Sequence, residues 1–473
     1  MPTAGGQLRN SGDRLEPKVR AEPSAGRWKP WVLGSTSEVT VPTPPAKGSD
    51  QAESDLDAVE AMVDDRTAEV RTIVDKWGGP LPTKPWTEVS FDFVSKSAKN
   101  PPLSSRNYAL VHVAMYDAVL TAYHWKHAYN VEAPDVETLV PPGADPSYPS
   151  EHAAIAGAAS RVLAHLYPAQ SALRLDEMAD EAANSRVQSG TNTPSDVAAG
   201  LELGRAVADK VIAYAKADGA GKPWDGRRPP GIGGGPTYWE PPPGSPSPPV
   251  DPPPGTWKPW VMTSGSQFRP EPPPAYGSAD FRAAAQEIVD IKKNLTQQQK
   301  DIAKFWEGAE GTPLPAGIAL GVAMKDIEEA ASTGDPASRW TIPRSARAMA
   351  LVNIAMADGG ISVWDAKYTF WNPRPENAIR DLGLDSNWSP HLPTPRFPAY
   401  PSGSAGYAGG TEAVMTYLFP DKAAEFKRRA EEQAESRLYA GIHWRYDAVS
   451  LEGGRKVAGL VIDRAKADGA DAP

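Results

Sequence analysis

Apolar residues recur at three- and four-residue intervals over 55–76, 151–167, 169–185, 278–293, 296–306, 345–360 and 405–418, the spacing that gives a helix one buried face. Almost no stretch alternates apolar and polar residues as a half-buried strand would. The pattern predicts an all-α protein, and it repeats itself. A-L-V-H-V-A-M-Y-D-A-V (109–119) is matched by A-L-V-N-I-A-M-A-D-G-G (350–360), and Y-P-S-E-H-A (148–153) by Y-P-S-G-S-A (400–405). S-R-V-Q-S-G (185–190) is matched by S-R-L-Y-A-G (436–441), and the helix starting G-R-A-V-A-D-K-V-I by one starting G-R-K-V-A-G-L-V-I. W-K-P-W-V also occurs twice, at 28–32 and 257–261. Matched blocks in the same order imply an internal duplication of a multi-helix unit, with a period too long for a solenoid. The expected architecture is two related helical bundles packed in one domain. Its parts are an irregular N-terminal extension (1–54), a first helical repeat (55–220), a connector (221–277) and a second helical repeat (278–473).

Composition sharpens this picture in three places. Of the 50 prolines, the densest group runs from Pro229 to Pro274 and cannot be helical, which marks the connector. No apolar run approaches the ~20 residues of a membrane helix, so no membrane span is expected. The opening M-P-T-A-G-G-Q-L-R-N-S-G-D-R-L has no apolar core of a secretion signal, and a cytoplasmic location is expected from that. There is no cysteine, which closes off disulfides, thiolate metal sites and a cysteine nucleophile. A net charge of -10 argues against a general nucleic-acid binder, but leaves room for a small anion wherever basic groups converge.

The duplication separates residues that the fold needs twice from those present once. Opposite K-H-A-Y-N-V-E-A in the first copy, the second reads K-Y-T-F-W-N-P-R-P-E, with Lys367 and Arg374 seven apart. Opposite S-R-V-Q-S-G-T-N-T-P-S-D it reads S-R-L-Y-A-G-I-H-W-R-Y-D, so His443 faces Asn192, while Arg437 and Asp447 have counterparts in Arg186 and Asp196. Two arginines, a lysine, the Ser402 hydroxyl and the Gly403 amide at a helix start suit a tetrahedral oxyanion with several acceptor oxygens. Glycine there lets backbone approach closely. A neutral His443 can act as ligand or nucleophile, and Asp447 four residues on can fix its tautomer. The first copy lacks the K-x6-R-P arginine and has Glu151 for the glycine, so it reads as a degenerate, structural half. Buried in an apolar helix, His112 reads as a core residue.

The order K-x6-R-P, P-S-G, S-R-x5-H-x3-D over 367–447 resembles the signature of the vanadium-dependent haloperoxidases and type-2 phosphatidic acid phosphatases. W-K-P-W-V-M-T-S-G-S-Q-F-R-P and L-T-Q-Q-Q-K-D-I-A-K-F-W-E-G are similar to bacterial haloperoxidase sequence. The resemblance implies a vanadate cofactor held by Lys367, Arg374, Ser402, Gly403, Arg437 and His443, with His443 ligating the metal. It further implies hydrogen peroxide and halide as co-substrates, and a homodimer. In most of that family a histidine follows P-S-G, where it works as an acid-base group; here Ser404 stands there. Serine does not exchange protons near neutral pH, which weighs against a phosphatase. Bacterial natural-product enzymes share the serine and a lysine equivalent to Lys304, and we read Lys304 and Ser404 as a joint substitute for the histidine.

The function implied is a haloperoxidase, and specifically a chloroperoxidase, that halogenates and cyclises a prenylated aromatic (meroterpenoid) small molecule. The alternative is a family member with phosphate or nothing in the cage that catalyses a redox-neutral acid-base rearrangement of an α-hydroxyketone. An acid phosphatase ranks below both.

Overall fold

The computed structural model describes residues 20–64, 66–97, 100–170, 172–241, 249, 252–334 and 338–471. The first 19 residues of the expected extension and most of the densest proline run (242–248, 250–251) lie outside the described residues. Those described form helices joined by irregular segments, with no β-strand among them. In chain order the helices are α1 (Asp50–Asp64), α2 (Ala68–Trp77), α3 (Lys84–Ser95), α4 (Pro101–Tyr129), α5 (Glu151–Leu166), α6 (Ala172–Gln188), α7 (Pro194–Ala217) and α8 (Ala279–Lys293). There follow α9 (Gln297–Phe305), α10 (Leu314–Ser332), α11 (Ile342–Phe370), α12 (Pro375–Asp381), α13 (Gly403–Leu418), α14 (Ala423–Tyr439) and α15 (Ser450–Lys466). The single amphipathic stretch read over 55–76 is two helices, α1 and α2. Thr67 ends that break by capping α2, its hydroxyl accepting the Val70 amide. None of the described helices is long and apolar enough to cross a membrane.

Two compact units emerge, each drawn from three stretches of chain: 1–86, 113–211 and 328–346 make unit 1; 87–112, 212–327 and 347–473 make unit 2. Each has its own core, for example Val59, Ala153, Ala183, Val187 and Val197 in unit 1 and Phe281, Ile288, Ile379, Trp388 and Trp444 in unit 2.

The repeated sequence blocks become repeated contacts. In unit 1, Ser150 caps α5 by accepting the Ala153 amide, and its own amide donates to the Asp196 carbonyl. In unit 2, Ser402 caps α13 by accepting the Ala405 amide, and its amide donates to the Asp447 carbonyl. The Tyr148–Pro149 and Tyr400–Pro401 bonds are both cis. Glycine sets how closely the next pair of helices approaches: a Cβ on Gly157 would meet the Leu201 carbonyl at 2.4 Å, and one on Gly409 the Leu451 carbonyl at 1.9 Å. That contact fixes α5 on α7 and α13 on α15.

The duplicated W-K-P-W-V has an equally concrete partner. Asp117 on α4 accepts the amides of Trp31, Val32 and Leu33 at 2.8, 2.8 and 3.3 Å. Asp358 on α11 accepts those of Trp260, Val261 and Met262 at 2.8, 2.9 and 3.2 Å. One carboxylate thus satisfies three backbone donors of an irregular strap in each unit, which those donors require once buried. The connector read over 221–277 is therefore more than a loose link at its C-terminal end.

Candidate active site

α11 carries the first basic group inward. Its Trp364 and Tyr368, with Trp371 just beyond its end, pack with Val363 and Trp239 into an aromatic cluster, and Lys367 lies fully buried beside it. The Lys367 ammonium donates to the carbonyls of Pro398 and Ala399 at 2.9 and 2.7 Å and stands 5.3 Å from the centre of the Phe397 ring. α11 ends at Phe370, Trp371 follows with φ 53°, and the chain then delivers Arg374 as the residue before the proline that starts α12. Arg374 is also buried, its guanidinium 5.0 Å from the Phe397 ring. Phe397 thereby holds two cations by its electron-rich surface.

α14 delivers Arg437, which donates to the carbonyls of Ala303 and Glu307 at 3.0 and 3.3 Å. Past a turn at Gly441 (φ 76°), the chain presents His443. Its Nδ1 is 2.6 Å from Asp447 Oδ2, and its Nε2 is 3.0 Å from Arg374 Nη1. The Trp444 amide also donates to Asp447 Oδ2, at 3.1 Å. With the proton on Nδ1, Nε2 keeps its lone pair.

Burial and charge agree on the protonation of the imidazole. Burial, then Arg374, Lys367 and Arg437, hold His443 well below its usual value, so the ring is neutral. Burial pushes the Asp447 carboxyl up to about 7, with Lys367, the Trp444 amide and Arg374 pulling it back. Burial likewise lowers Lys367 well below an ordinary lysine, and lowers Arg374 to about 9 and Arg437 to about 10. Cations crowded together in a dry site call for an anion among them.

A cavity of about 440 Å³ opens against these groups, with Gly403, Ser404, Arg437 and His443 in its wall. Much of the rest of the wall is apolar, including Trp364, Leu392, Pro393, Phe397 and Ile442. Arg374 Nη2 and Asp447 Oδ1 are buried without a partner. A Cβ at Gly403 would press on the Trp364 ring at 3.2 Å, so glycine gives the closest approach to the backbone at the start of α13. An unmet guanidinium N–H, a glycine cradle and a neutral imidazole form a donor set that fits vanadate or phosphate.

Eight of the nine residues singled out in the sequence, Lys367, Arg374, Ser402, Gly403, Ser404, Arg437, His443 and Asp447, are buried in unit 2. The ninth, Lys304, is not brought in. Its side chain is 73% exposed on α9, its ammonium is 2.5 Å from Glu307 Oε2, and it is not part of the cavity wall. Glu307 does border the cavity, so a neighbour of Lys304 faces it instead. The aromatic residues Trp364 and Phe397 escaped the sequence reading. Trp364 stands one helical turn before Lys367, and Phe397 a few residues before Y-P-S-G; their chemistry is ordinary core chemistry, and only proximity to the cations marks them.

The same part of the chain carries a family match. Residues 347–424 match the family described as the VCPO second helical-bundle domain. A vanadium chloroperoxidase of Curvularia inaequalis is 31% identical over 96 residues, a match covering 17% of this chain and 16% of that protein. Among solved structures, a bacterial vanadium-dependent iodoperoxidase superposes with a TM-score of 0.65 at 24% identity, over 80% of this chain and 95% of that one. An apo bacterial vanadium-dependent chloroperoxidase superposes with a TM-score of 0.58 at 17% identity, over 83% and 97%. At these identities the structural likenesses show a shared fold. The family match itself is confined to residues 347–424.

Proposed function

We propose that the cavity of unit 2 is the active site of a haloperoxidase that uses hydrogen peroxide and halide, with vanadate as its cofactor, to halogenate and cyclise a prenylated aromatic (meroterpenoid) molecule. The observation that carries this reading is the neutral His443, clamped at Nδ1 by Asp447, with Nε2 turned toward Arg374 and an unpartnered Arg374 Nη2 beside it. His443 Nε2 would ligate the metal, and Lys367, Arg374 and Arg437 would neutralise the oxygens, with Gly403 admitting them to the start of α13. Ser404 would donate one further hydrogen bond. Bound vanadate supplies a Lewis acid that polarises peroxide toward attack by halide. Trp364 and Phe397 exclude water from the cations, and the apolar remainder of the cavity accepts an organic substrate. Chloride as the halide, a cytoplasmic location, a homodimer and a first repeat without this chemistry belong to the same proposal.

A second reading rests on one contact. Arg374 Nη1 occupies the Nε2 lone pair of His443, and Ser404 offers no exchangeable proton near neutral pH. A cage without vanadate suits a redox-neutral rearrangement, in which His443 acts as the base once Arg374 Nη1 releases Nε2. A phosphatase is the least favoured, because Ser404 cannot protonate a leaving alkoxide.

Purified protein incubated with orthovanadate, peroxide and bromide or chloride, with monochlorodimedone as halogen acceptor, separates the three. Vanadate-dependent halogenation supports the first. Hydrolysis of p-nitrophenyl phosphate without halogenation supports the phosphatase. Neither activity, with no vanadium retained after dialysis, overturns both in favour of the rearrangement.

A further inference from the structure

Unit 1 has a cavity of its own, about 370 Å³, walled by the first-copy counterparts of the unit 2 site. Lys126 takes the place of Lys367 and makes the same bonds, donating to the carbonyls of Pro146 and Ser147 at 2.5 and 3.0 Å. Arg186 takes the place of Arg437, Asn192 that of His443, and Glu151 that of Gly403. Ala133-Pro134 stands where Arg374-Pro375 stands in the second copy, so no cation occupies that position, although Arg20 and Arg339 also border the cavity.

The charges are arranged for a different ligand. Glu151 is 2.8 Å from the Lys126 ammonium and 3.2 Å from His152 Nδ1, so the lysine already has its counter-ion. The Asp145 carboxylate is taken up by His127 at 3.0 Å and by the Glu22 amide. Arg186 has no acid. Its residue is 3% exposed, Nη2 donates to the Thr191 hydroxyl at 2.9 Å, and Nε and Nη1 have no partner. Gly78, also in the cavity wall, gives the guanidinium its room, since a Cβ there would meet Nη1 at 2.6 Å. A buried guanidinium with unmet N–H groups beside a preformed cavity is a ready anion subsite. Glu151, in the place of the oxyanion-cradling glycine, repels a multiply charged oxyanion. Tyr123, Pro141, Trp340 and Ile342 in the wall favour a carbon skeleton.

We propose that the unit 1 cavity is a second ligand site, distinct from the vanadate cage, that binds a small organic monocarboxylate with its carboxylate on Arg186 and its apolar body against Tyr123 and Trp340. The copy that lost the oxyanion chemistry thus keeps a recognition pocket. This holds whether or not unit 2 carries a cofactor.

The test is isothermal titration of the full chain with benzoate, and with inorganic phosphate for comparison. Benzoate is expected to bind one site per chain. Arg186→Lys should weaken it at least about tenfold, because the replacement ammonium lacks the planar fork. Gly143→Trp blocks the same cavity from an exposed loop, where an added Cβ meets nothing nearer than the Asp145 amide at 3.9 Å, and it should abolish binding without lowering Tm. Arg374→Lys should leave benzoate binding unchanged. The proposal is overturned if benzoate gives no heat at millimolar concentration, if Gly143→Trp binds it normally, or if Arg374→Lys rather than the unit 1 variants removes it. Phosphate binding that Arg186→Lys removes, with no benzoate binding, overturns the monocarboxylate assignment.

Discussion

His443 Nδ1 and Asp447 Oδ2 lie 2.6 Å apart, both buried, with the Trp444 amide donating to the same carboxylate oxygen. That hydrogen bond fixes the imidazole proton on Nδ1 and leaves Nε2 as the only ring atom able to ligate or to accept a proton. Asp447→Asn can turn its NH2 toward Nδ1 and move the ring proton to Nε2. Loss of about 10–100-fold in vanadate affinity or turnover is expected, with little change in fold. Equal kcat and equal vanadium content in wild type and variant would contradict this assignment.

Ser404 offers the clearest gain-of-function test. It borders the cavity beside Gly403 and His443, so Ser404→His places an imidazole at the start of α13. The pH–rate profile should then acquire a second ionisation near the ordinary histidine range, beside that of Asp447 at about 7. An unchanged profile would show that this position does not reach the reacting atoms.

Lys304 provides the opposite expectation. Its ammonium is exposed and engaged by Glu307, and an exposed pair of this kind contributes little. Lys304→Ala should leave halogenation within about twofold of wild type and stability within about 0.5 kcal/mol. A loss of activity beyond tenfold would restore the relay that the sequence suggested.

Asp117 and Asp358 should behave as a matched pair. Each accepts three strap amides, so Asp117→Ala and Asp358→Ala each strand three donors, one buried and two partly buried. A loss of about 2–4 kcal/mol is expected for each, read from urea midpoints. Asp→Asn at either position retains one acceptor oxygen and should cost less. A small effect at both sites would mean that water reaches the straps.

His112 supplies a pH signature of stability. It is buried in α4, with Nε2 3.3 Å from the Thr87 hydroxyl, and burial lowers it to about 3. Its folded-state pKa is below the unfolded one, so the unfolded chain binds the extra proton between pH 6.5 and about 3. The stabilising contribution is complete above pH 6.5 and is lost as pH falls through that window, on the order of a few kcal/mol. His112→Met should flatten this acid limb in urea midpoints measured at pH 4 and pH 7; an unchanged slope would show another group to be responsible.

Helical periodicity, the order of the repeated blocks and the residues unique to the second copy were legible in the chain, because each depends on local spacing. So was the chemistry peculiar to the second copy: Arg374 and His443 have no first-copy equivalent, while Lys367 and Arg437 recur there as Lys126 and Arg186. Distances between segments far apart in sequence were not legible. Lys304 shares a helix with Ala303, whose carbonyl binds Arg437, yet one residue's rotation around that helix puts its ammonium in solvent. Phe397 and Trp364 read as core until the fold set them beside the cations. The strap-and-aspartate contacts, too, needed the tertiary structure, which within each unit brings W-K-P-W-V to an aspartate some 85–100 residues away.

The sequence by itself determined the helices, the duplication and which side chains could hold an oxyanion, since period and residue chemistry are local properties. Only the tertiary structure decided which of them share one dry cavity, and that the first copy has a cavity too. The physical reason is that burial, which neutralises His443 and leaves Arg186 Nε and Nη1 unmet, belongs to the packed chain and to no residue alone.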